Sequence, residues 1–419
     1  MKSNPEQTTS KNNTLFSISV YLTIVAYIAR IAEIFPVLGT FRVNLLLFVT
    51  TLFLFVVTGA IKNIKITGNT ELLLMTGFLF AGLLSVPFSV WPSNAWQTCI
   101  DSLMINLAIF LFCQAVIKSE KQLFGTISTI ICSCAILLYG LTYRPVIAEE
   151  YRISTTISYD SNDIALLFVF AFPVASAFFV ASKLKGKLLA CIIMIGLAQG
   201  IVTTGSRGGM IAFGIASFLI FFSSGIGLKL FYKLVVIVMI AMFILSPKGD
   251  GLRERFATLM SGQDYNIVNT NSAAGGRLAI WKSGLVLLLN NPVVGVGAGN
   301  STTAMGQKHG DRSWKTMHNS YLQIAVETGL IGLAIYLAIL AIILKNCKNT
   351  IATLKRSTNQ REKVLLPFAC SMRIGFIAYM IAGFFLSQAF SPIVPLSLAF
   401  SNRLQFLATR LTQQTPENQ

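Results

Sequence analysis

Charge is what this chain has least of. Only 12% of its 419 residues are Asp, Glu, Lys or Arg, about half the share of an ordinary soluble domain, which argues against a solvated globular chain of this length. Acidic residues are the scarcer sign, 16 against 33 Lys and Arg. Histidine occurs only as His309 and His318, and no cluster of His, Asp and Glu has ligand spacing, so neither a metal nor another cofactor is expected. The seven cysteines, among them Cys113, Cys132, Cys134 and Cys191, lie mostly within apolar runs. Their spacing suggests neither a disulfide framework nor a zinc site. The net charge of +17 is spread over short connections rather than gathered into a patch, so nucleic acid is not an expected partner.

What the chain has in abundance is apolar sequence, 54% of all residues, arranged in blocks of about twenty, the length that spans a bilayer as a helix. The breaks between blocks predict helices near 15–38, 41–61, 71–90, 99–117, 124–142 and 162–182, then near 188–204, 208–223, 231–246, 319–344, 365–388 and 392–410. The expected fold is therefore an all-α polytopic membrane protein of about twelve transmembrane helices. The first apolar run carries Arg30 and Glu33 and lacks a small-residue cleavage site, so it reads as a span rather than a leader. Three regions follow: a nine-helix bundle over 1–246, a large loop over 247–317, and three helices with a tail over 318–419.

Lysines set the orientation. With a cytoplasmic N-terminus, every second connection is cytoplasmic, and those connections hold Lys62, Lys65, Lys118, Lys121, Lys183, Lys185, Lys187, Lys229 and Lys233. The last holds Lys345, Lys348, Lys355, Arg356, Arg361 and Lys363. The short outer connections contain no lysine, as the positive-inside rule requires. The loop 247–317 then faces outward, into the periplasm of a Gram-negative cell. It departs from the rule with eight Lys/Arg against four acidic residues. Two readings stand: solvated charge on a long translocated loop, or a basic cup for an anionic ligand.

Three motifs share that outer face. Thr204-Gly205-Ser206-Arg207-Gly208-Gly209 joins two helices and puts Arg207 in an opening turn, where free backbone N–H groups favour an anion. A tight hairpin with a snorkelling arginine is the plainer account. Gly275-Gly276-Arg277-Leu278-Ala279-Ile280-Trp281-Lys282 opens an apolar run too short to span, either an interfacial helix anchored by Trp281 or a second cationic site. The following Asn291-Pro292-Val293-Val294-Gly295-Val296-Gly297-Ala298-Gly299-Asn300 has glycines at dinucleotide-like spacing but follows no strand, and reads as a turn. His318-Asn319 enters the next helix, with Gly329 and Gly332 beyond it. A lone histidine is usually structural, but one here suits proton transfer near neutral pH.

His318-Asn319, nine residues, then Gly329-Leu330-Ile331-Gly332 resembles the signature of the bacterial O-antigen ligase and O-antigen polymerase superfamily. The Ser-Arg-Gly-Gly turn, the Gly-Arg-x-x-x-Trp segment and the Asn-Pro-x-x-Gly turn match it in the same order, and Tyr159-Asp160-Ser161-Asn162-Asp163 looks like a further shared element. The resemblance covers roughly residues 150–345. It implies a GT-C-like inner-membrane glycosyltransferase that is inverting and metal-independent, with its site facing the periplasm. The implied donor is a glycan on undecaprenyl diphosphate. The implied acceptor is lipid A–core for a ligase, or another lipid-linked glycan for a polymerase of O-antigen or exopolysaccharide. By the same resemblance Arg207 and Arg277 bind the donor diphosphate, with Arg152 a weaker candidate, and His318 assists the acceptor hydroxyl. Asn319, Asn162, Gly208, Gly329 and Gly332 support them. A protein O-oligosaccharyltransferase shares the histidine region. A transporter of lipid-linked glycan would instead need inverted repeats and midplane charges, for which Arg30, Glu33, Asp163, Glu327 and Arg373 are the candidates.

Overall fold

The computed structural model describes residues 5–64, 68–149, 152–156, 158–223, 273–309, 316–357 and 364–414. Eleven of the twelve expected apolar segments form helices there; the twelfth, near 231–246, lies outside the described residues, as does most of the expected loop before residue 273. In chain order the main helices are α1 (Pro5–Ala29), α2 (Val43–Val57), α3 (Thr70–Ser85), α4 (Pro92–Val116), α5 (Glu120–Tyr143), α6 (Ser161–Ala181), α7 (Leu184–Thr203) and α8 (Arg207–Phe222). They continue with α9 (Ala273–Asn290), α10 (Ser301–His309), α11 (Ser320–Arg356), α12 (Leu365–Ala382) and α13 (Ile393–Gln414). The departure from an all-helical chain is a short antiparallel hairpin, β1 (Val146–Glu149) and β2 (Arg152–Ser154), with Val146 opposite Ser154.

Among the described residues seven helices are long and apolar enough to cross a bilayer, namely α3 with its following turn, α4, α5, α6, α7, α11 and α12. Three more apolar stretches, 14–29, 43–57 and 207–222, are shorter. The chain is thus a multi-pass membrane protein. Burial ranks its helices: α6 has 78% of its most apolar window inside the protein, whereas the α3 span has 28%. α6 is the central post, with α5, α7, α8 and α12 around it. A helix apolar on all sides and buried this deeply belongs to a core, and one apolar but exposed belongs against lipid.

Side-chain caps fix where the helices begin. Asp160 accepts hydrogen bonds from the Asn162 and Asp163 amides, and the Asp163 carboxylate accepts one from the Asp160 amide, a reciprocal capping box at α6. Asn69, Ser119, Ser206 and Asn319 cap α3, α5, α8 and α11 in the simpler way. Each satisfies an amide that the first turn leaves without a helical partner.

Several boundaries differ from the expected ones for local reasons. The helix predicted over 15–38 stops at Arg30, which has φ 51°, and short turns continue it through Pro36. The helix predicted over 365–388 ends at Ala382; residues 383–391 leave it as a run of turns through Gly383, Ser387 and Gln388 before Pro392. The helix predicted over 319–344 runs on to Arg356 and is broken at Gly329, with φ 69° and ψ −172°.

Candidate functional site

The break at Gly329 exists to receive another segment. The glycine-rich turn 291–300 lies against it through backbone bonds: Leu330 N–H donates to Pro292 O at 2.8 Å, Val296 N–H to Val326 O at 2.8 Å, and Gly297 N–H to Glu327 O at 3.1 Å. A side chain at residue 329 would need a left-handed φ and would also put its Cβ on the Val293 carbonyl, so only glycine fits. The Glu327 carboxylate, 1% exposed, gathers the same corner. It accepts from Gly299 N–H at 2.8 Å, Ser301 Oγ at 2.6 Å and Gln323 Nε2 at 3.2 Å, at the opening of α10. Asn300 completes the turn, taking the Asn94 amide at 2.7 Å and donating to Trp91 O at 3.0 Å. The turn is a structural keystone between the α3–α4 connection and the first half of α11. Glu327, a candidate transport charge by sequence, is spent holding it. Gly332, one turn further on, leaves room for the Thr328 side chain.

His318 lies just before this half-helix. Its backbone has φ 47°, rarely adopted outside glycine and asparagine, and its amide donates to Ser387 Oγ at 2.7 Å. Nε2 of the half-buried ring lies 3.1 Å from Thr316 Oγ1. Asn319 is the helix cap, accepting from Leu322 N–H at 3.0 Å. Ser320 closes the join from the other side: its amide donates to Gly383 O at 2.8 Å, its hydroxyl to Leu386 O at 2.7 Å, and Gln388 N–H donates back to the hydroxyl at 2.9 Å. Residues 383–391 are therefore the socket for His318. The expected helix over 365–388 took in 383–388; the signal available was the Ser387-Gln388 pair within apolar sequence shortly before Pro392.

Arg207 opens α8, whose first turn adjoins the same segment. It occupies the first helical position behind the Ser206 cap, whose Oγ accepts from Gly209 N–H at 3.1 Å and donates to Asn162 Oδ1 at 2.7 Å. Asn162, 4% exposed, is held in turn by the Asp160 carboxylate. It thus ties the start of α8 to the start of α6. A Cβ built on Gly208 would meet the Phe385 Cβ at 3.4 Å, so α8 begins directly against the 383–391 segment. Asp163 engages Gln388 of that segment. The Arg207 side chain is half-buried.

Arg277, also half-buried, lies in the first turns of α9. Trp281, one turn later on the same face, donates its indole N–H to Met317 O at 3.0 Å, next to His318. Ile280 and Leu287 of α9 pack with Val296, Met305, Met317 and Val326 in a small core of their own. Arg152 is on β2, and its side chain lies outside the described residues.

A further cation stands nearby on the α1 side. The Arg30 guanidinium lies over the Tyr27 and Tyr159 rings at 5.6 and 5.2 Å. Arg30 forms a long ion pair with Glu33 at 4.0 Å, and Glu33 also receives Ser158 N–H and Oγ at 3.0 and 2.6 Å. Burial pushes the Tyr159 phenol above its ordinary range, against the pull of Arg30. Among the described residues no three His, Cys, Asp or Glu side chains gather as a metal site.

Comparison with known proteins gives one family and several distant relatives. Residues 189–337 match the family described as O-antigen ligase. The chain is 26% identical over 254 residues to an uncharacterized protein of Haemophilus influenzae, covering 56% of this chain and 61% of that one. It is 25% identical over 264 residues to a candidate polysaccharide ligase of Rickettsia conorii, covering 59% of each. It is 24% identical over 331 residues to another candidate polysaccharide ligase, from Rickettsia felis, covering 76% of each. The chain spans about three fifths of the length of the first two relatives. The matched stretch, residues 189–337, carries Arg207, Arg277, His318, Gly329 and Gly332, and over it the chain is similar to the O-antigen ligase family.

Proposed function

We propose that this protein is an inverting glycosyltransferase that moves a glycan from undecaprenyl diphosphate to an acceptor sugar, lipid A–core in the leading case. The observation that carries the proposal is the meeting of three motifs at one end of the bundle. Gly208, beside Arg207, lies against Phe385; His318 binds Ser387; and the Arg277 helix is pinned through Trp281 to Met317. The lysine distribution supports a periplasmic orientation for that end, and the reading places the protein in the inner membrane.

In the proposed reaction an acceptor hydroxyl attacks the anomeric carbon as the bond from that carbon to the diphosphate oxygen breaks. The electron pair leaves with undecaprenyl diphosphate, and His318 takes the hydroxyl proton. Arg207 and Arg277 stabilise the charge that builds on the leaving diphosphate, because guanidinium forks match its oxygens. Direct displacement inverts the configuration, and no step requires a divalent cation. A polymerase would use the same site with a second lipid-linked glycan as acceptor. The shared geometry favours neither acceptor over the other; the ligase reading rests on the family description and the names of the two Rickettsia relatives.

The test supplies purified protein with lipid-linked glycan and either lipid A–core or no second acceptor. Lipid A–core carrying the glycan supports the ligase; lengthened lipid-linked chains without it support the polymerase; no transfer under either condition sinks the proposal. A chelator added to the productive reaction should leave its rate nearly unchanged. Loss of activity that one metal restores would remove the metal-free step.

A further inference from the structure

A second polar site lies at the opposite end of α11. Residues of α3, α4, α11 and α13 enclose a cleft of about 720 Å³ whose polar lining includes Glu71, Gln114, Lys345, Asn346, Asn402 and Arg403. From the break at Gly329 to Asn346 the second half of α11 runs 17 residues, or about 26 Å, close to the hydrocarbon thickness of a bilayer. The cleft therefore borders the membrane face remote from His318.

Its polar groups are pre-arranged. The Glu71 carboxylate is covered by the amides of Asn346 at 3.0 Å and Asn402 at 2.8 Å, so the local negative charge is already engaged. Arg403 is fixed by its Nε–H on Ile117 O at 2.8 Å and by stacking on the Phe406 ring at 4.5 Å. That leaves its terminal N–H groups as the free end of the fork. Gln114 is 4% exposed and lines the cleft, and its Nε2 has no hydrogen-bond partner in the protein. A buried amide donor in that condition costs free energy unless something in the cleft accepts from it. Two cations, an unmatched donor and several amides, between helices at a membrane face, suit an anion that also carries hydroxyls.

We infer that the cleft binds the glycerophosphate headgroup of an anionic phospholipid. The phosphate accepts from Lys345, Arg403 and Gln114, the glycerol hydroxyls exchange hydrogen bonds with the amides, and the acyl chains run out along the exposed apolar side of α3. This site is independent of the transfer chemistry and does not rest on it.

Native mass spectrometry of the full chain in detergent, with phosphatidylglycerol or phosphatidylcholine added at equal concentration, reads the site directly. The parent should retain one phosphatidylglycerol roughly fivefold to tenfold better than phosphatidylcholine, whose quaternary ammonium cancels the phosphate charge, is repelled by Lys345 and Arg403 and offers no hydroxyls. Lys345→Gln and Gln114→Met should each reduce that preference, and the pair should bring it near unity. Thermal unfolding of each variant without lipid separates a lost site from a lost fold. Equal retention of the two lipids by the parent, or a preference that survives the folded double variant, overturns the inference. Soluble glycerol 1-phosphate that stabilises the protein as well as the lipid does, with the same sensitivity to the variants, overturns the lipid as its source.

Discussion

At the scale of single residues, His318 raises a question that ordinary alanine replacement answers badly. Its backbone is left-handed, so alanine would lose the imidazole and also strain the chain. Asparagine tolerates that conformation and removes only the ring. His318→Asn should therefore unfold at nearly the parent temperature and bind donor like the parent, while transfer falls by about 10²–10⁴, the usual worth of general-base help. Arg207→Lys keeps the charge but loses the planar fork, and should weaken donor binding and slow transfer by about 10²–10³. Donor binding and turnover measured separately in liposomes decide the matter. If His318→Asn loses donor binding while Arg207→Lys keeps it, the two roles are exchanged; if both behave like the parent, neither residue belongs to the site.

Ser387 offers a finer test. It accepts the His318 amide but its own side chain has no place in the proposed proton transfer. Ser387→Ala leaves a donor on a strained residue without its acceptor. Transfer should fall by about tenfold, the equivalent of roughly one to two kcal/mol from a misplaced imidazole, with donor affinity unchanged. An unaltered rate would show that residues 383–391 merely fill space beside the histidine.

At the scale of elements, the apolar segments were legible because hydropathy and length together specify a spanning helix, and the start of α8 was legible because Ser-Arg-Gly-Gly supplies a cap, a cation and two residues without bulk. The break in α11 was not. Gly329 stands between Glu327-Thr328 and a long apolar run, with Gly332 one turn on, a pattern that reads equally well as a smooth helix. Only the arrival of 291–300, distant in sequence, turns that glycine into a discontinuity. The socket at 383–391 was hidden in the same way, because Phe384, Phe385 and Leu386 carry the apolar signal past the true end of α12. Asn162, expected to support the site, ties α6 to α8 through Ser206.

Gly329→Ala should consequently destabilise the protein by more than about 2 kcal/mol, since it combines a left-handed φ with a collision on the Val293 carbonyl. Gly214→Ala, on α8 with nothing within 4 Å of the new methyl, should be neutral or stabilising by up to about 1 kcal/mol. Thermal midpoints of the two variants in one detergent make the comparison. Equal midpoints would mean that the break in α11 is not held by the turn.

At the scale of the whole molecule, the arrangement is polarised. The Arg207, Arg277 and His318 motifs meet at one end, and the cleft with Lys345 and Arg403 lies at the other, about one bilayer away along α11. Reporter fusions at Gly262 and Ser357 should consequently fall in opposite compartments, Gly262 outside and Ser357 inside. The same compartment for both would break the helix count and with it the shared face of the three motifs.

The corner at Gly329 is joined by main-chain groups: the Val296, Gly297 and Leu330 amides and the carbonyls of Val326, Glu327 and Pro292. Such a joint reads no side chain at Val293, Val294, Val296, Val326 or Leu330; it asks of them only that they be apolar and fit. Lineages can therefore exchange those residues freely and still inherit the same bend. What the joint does specify is the glycines, the carboxylate at Glu327 and the capping amide at Asn319, so the histidine corner asks for identity at only a few positions.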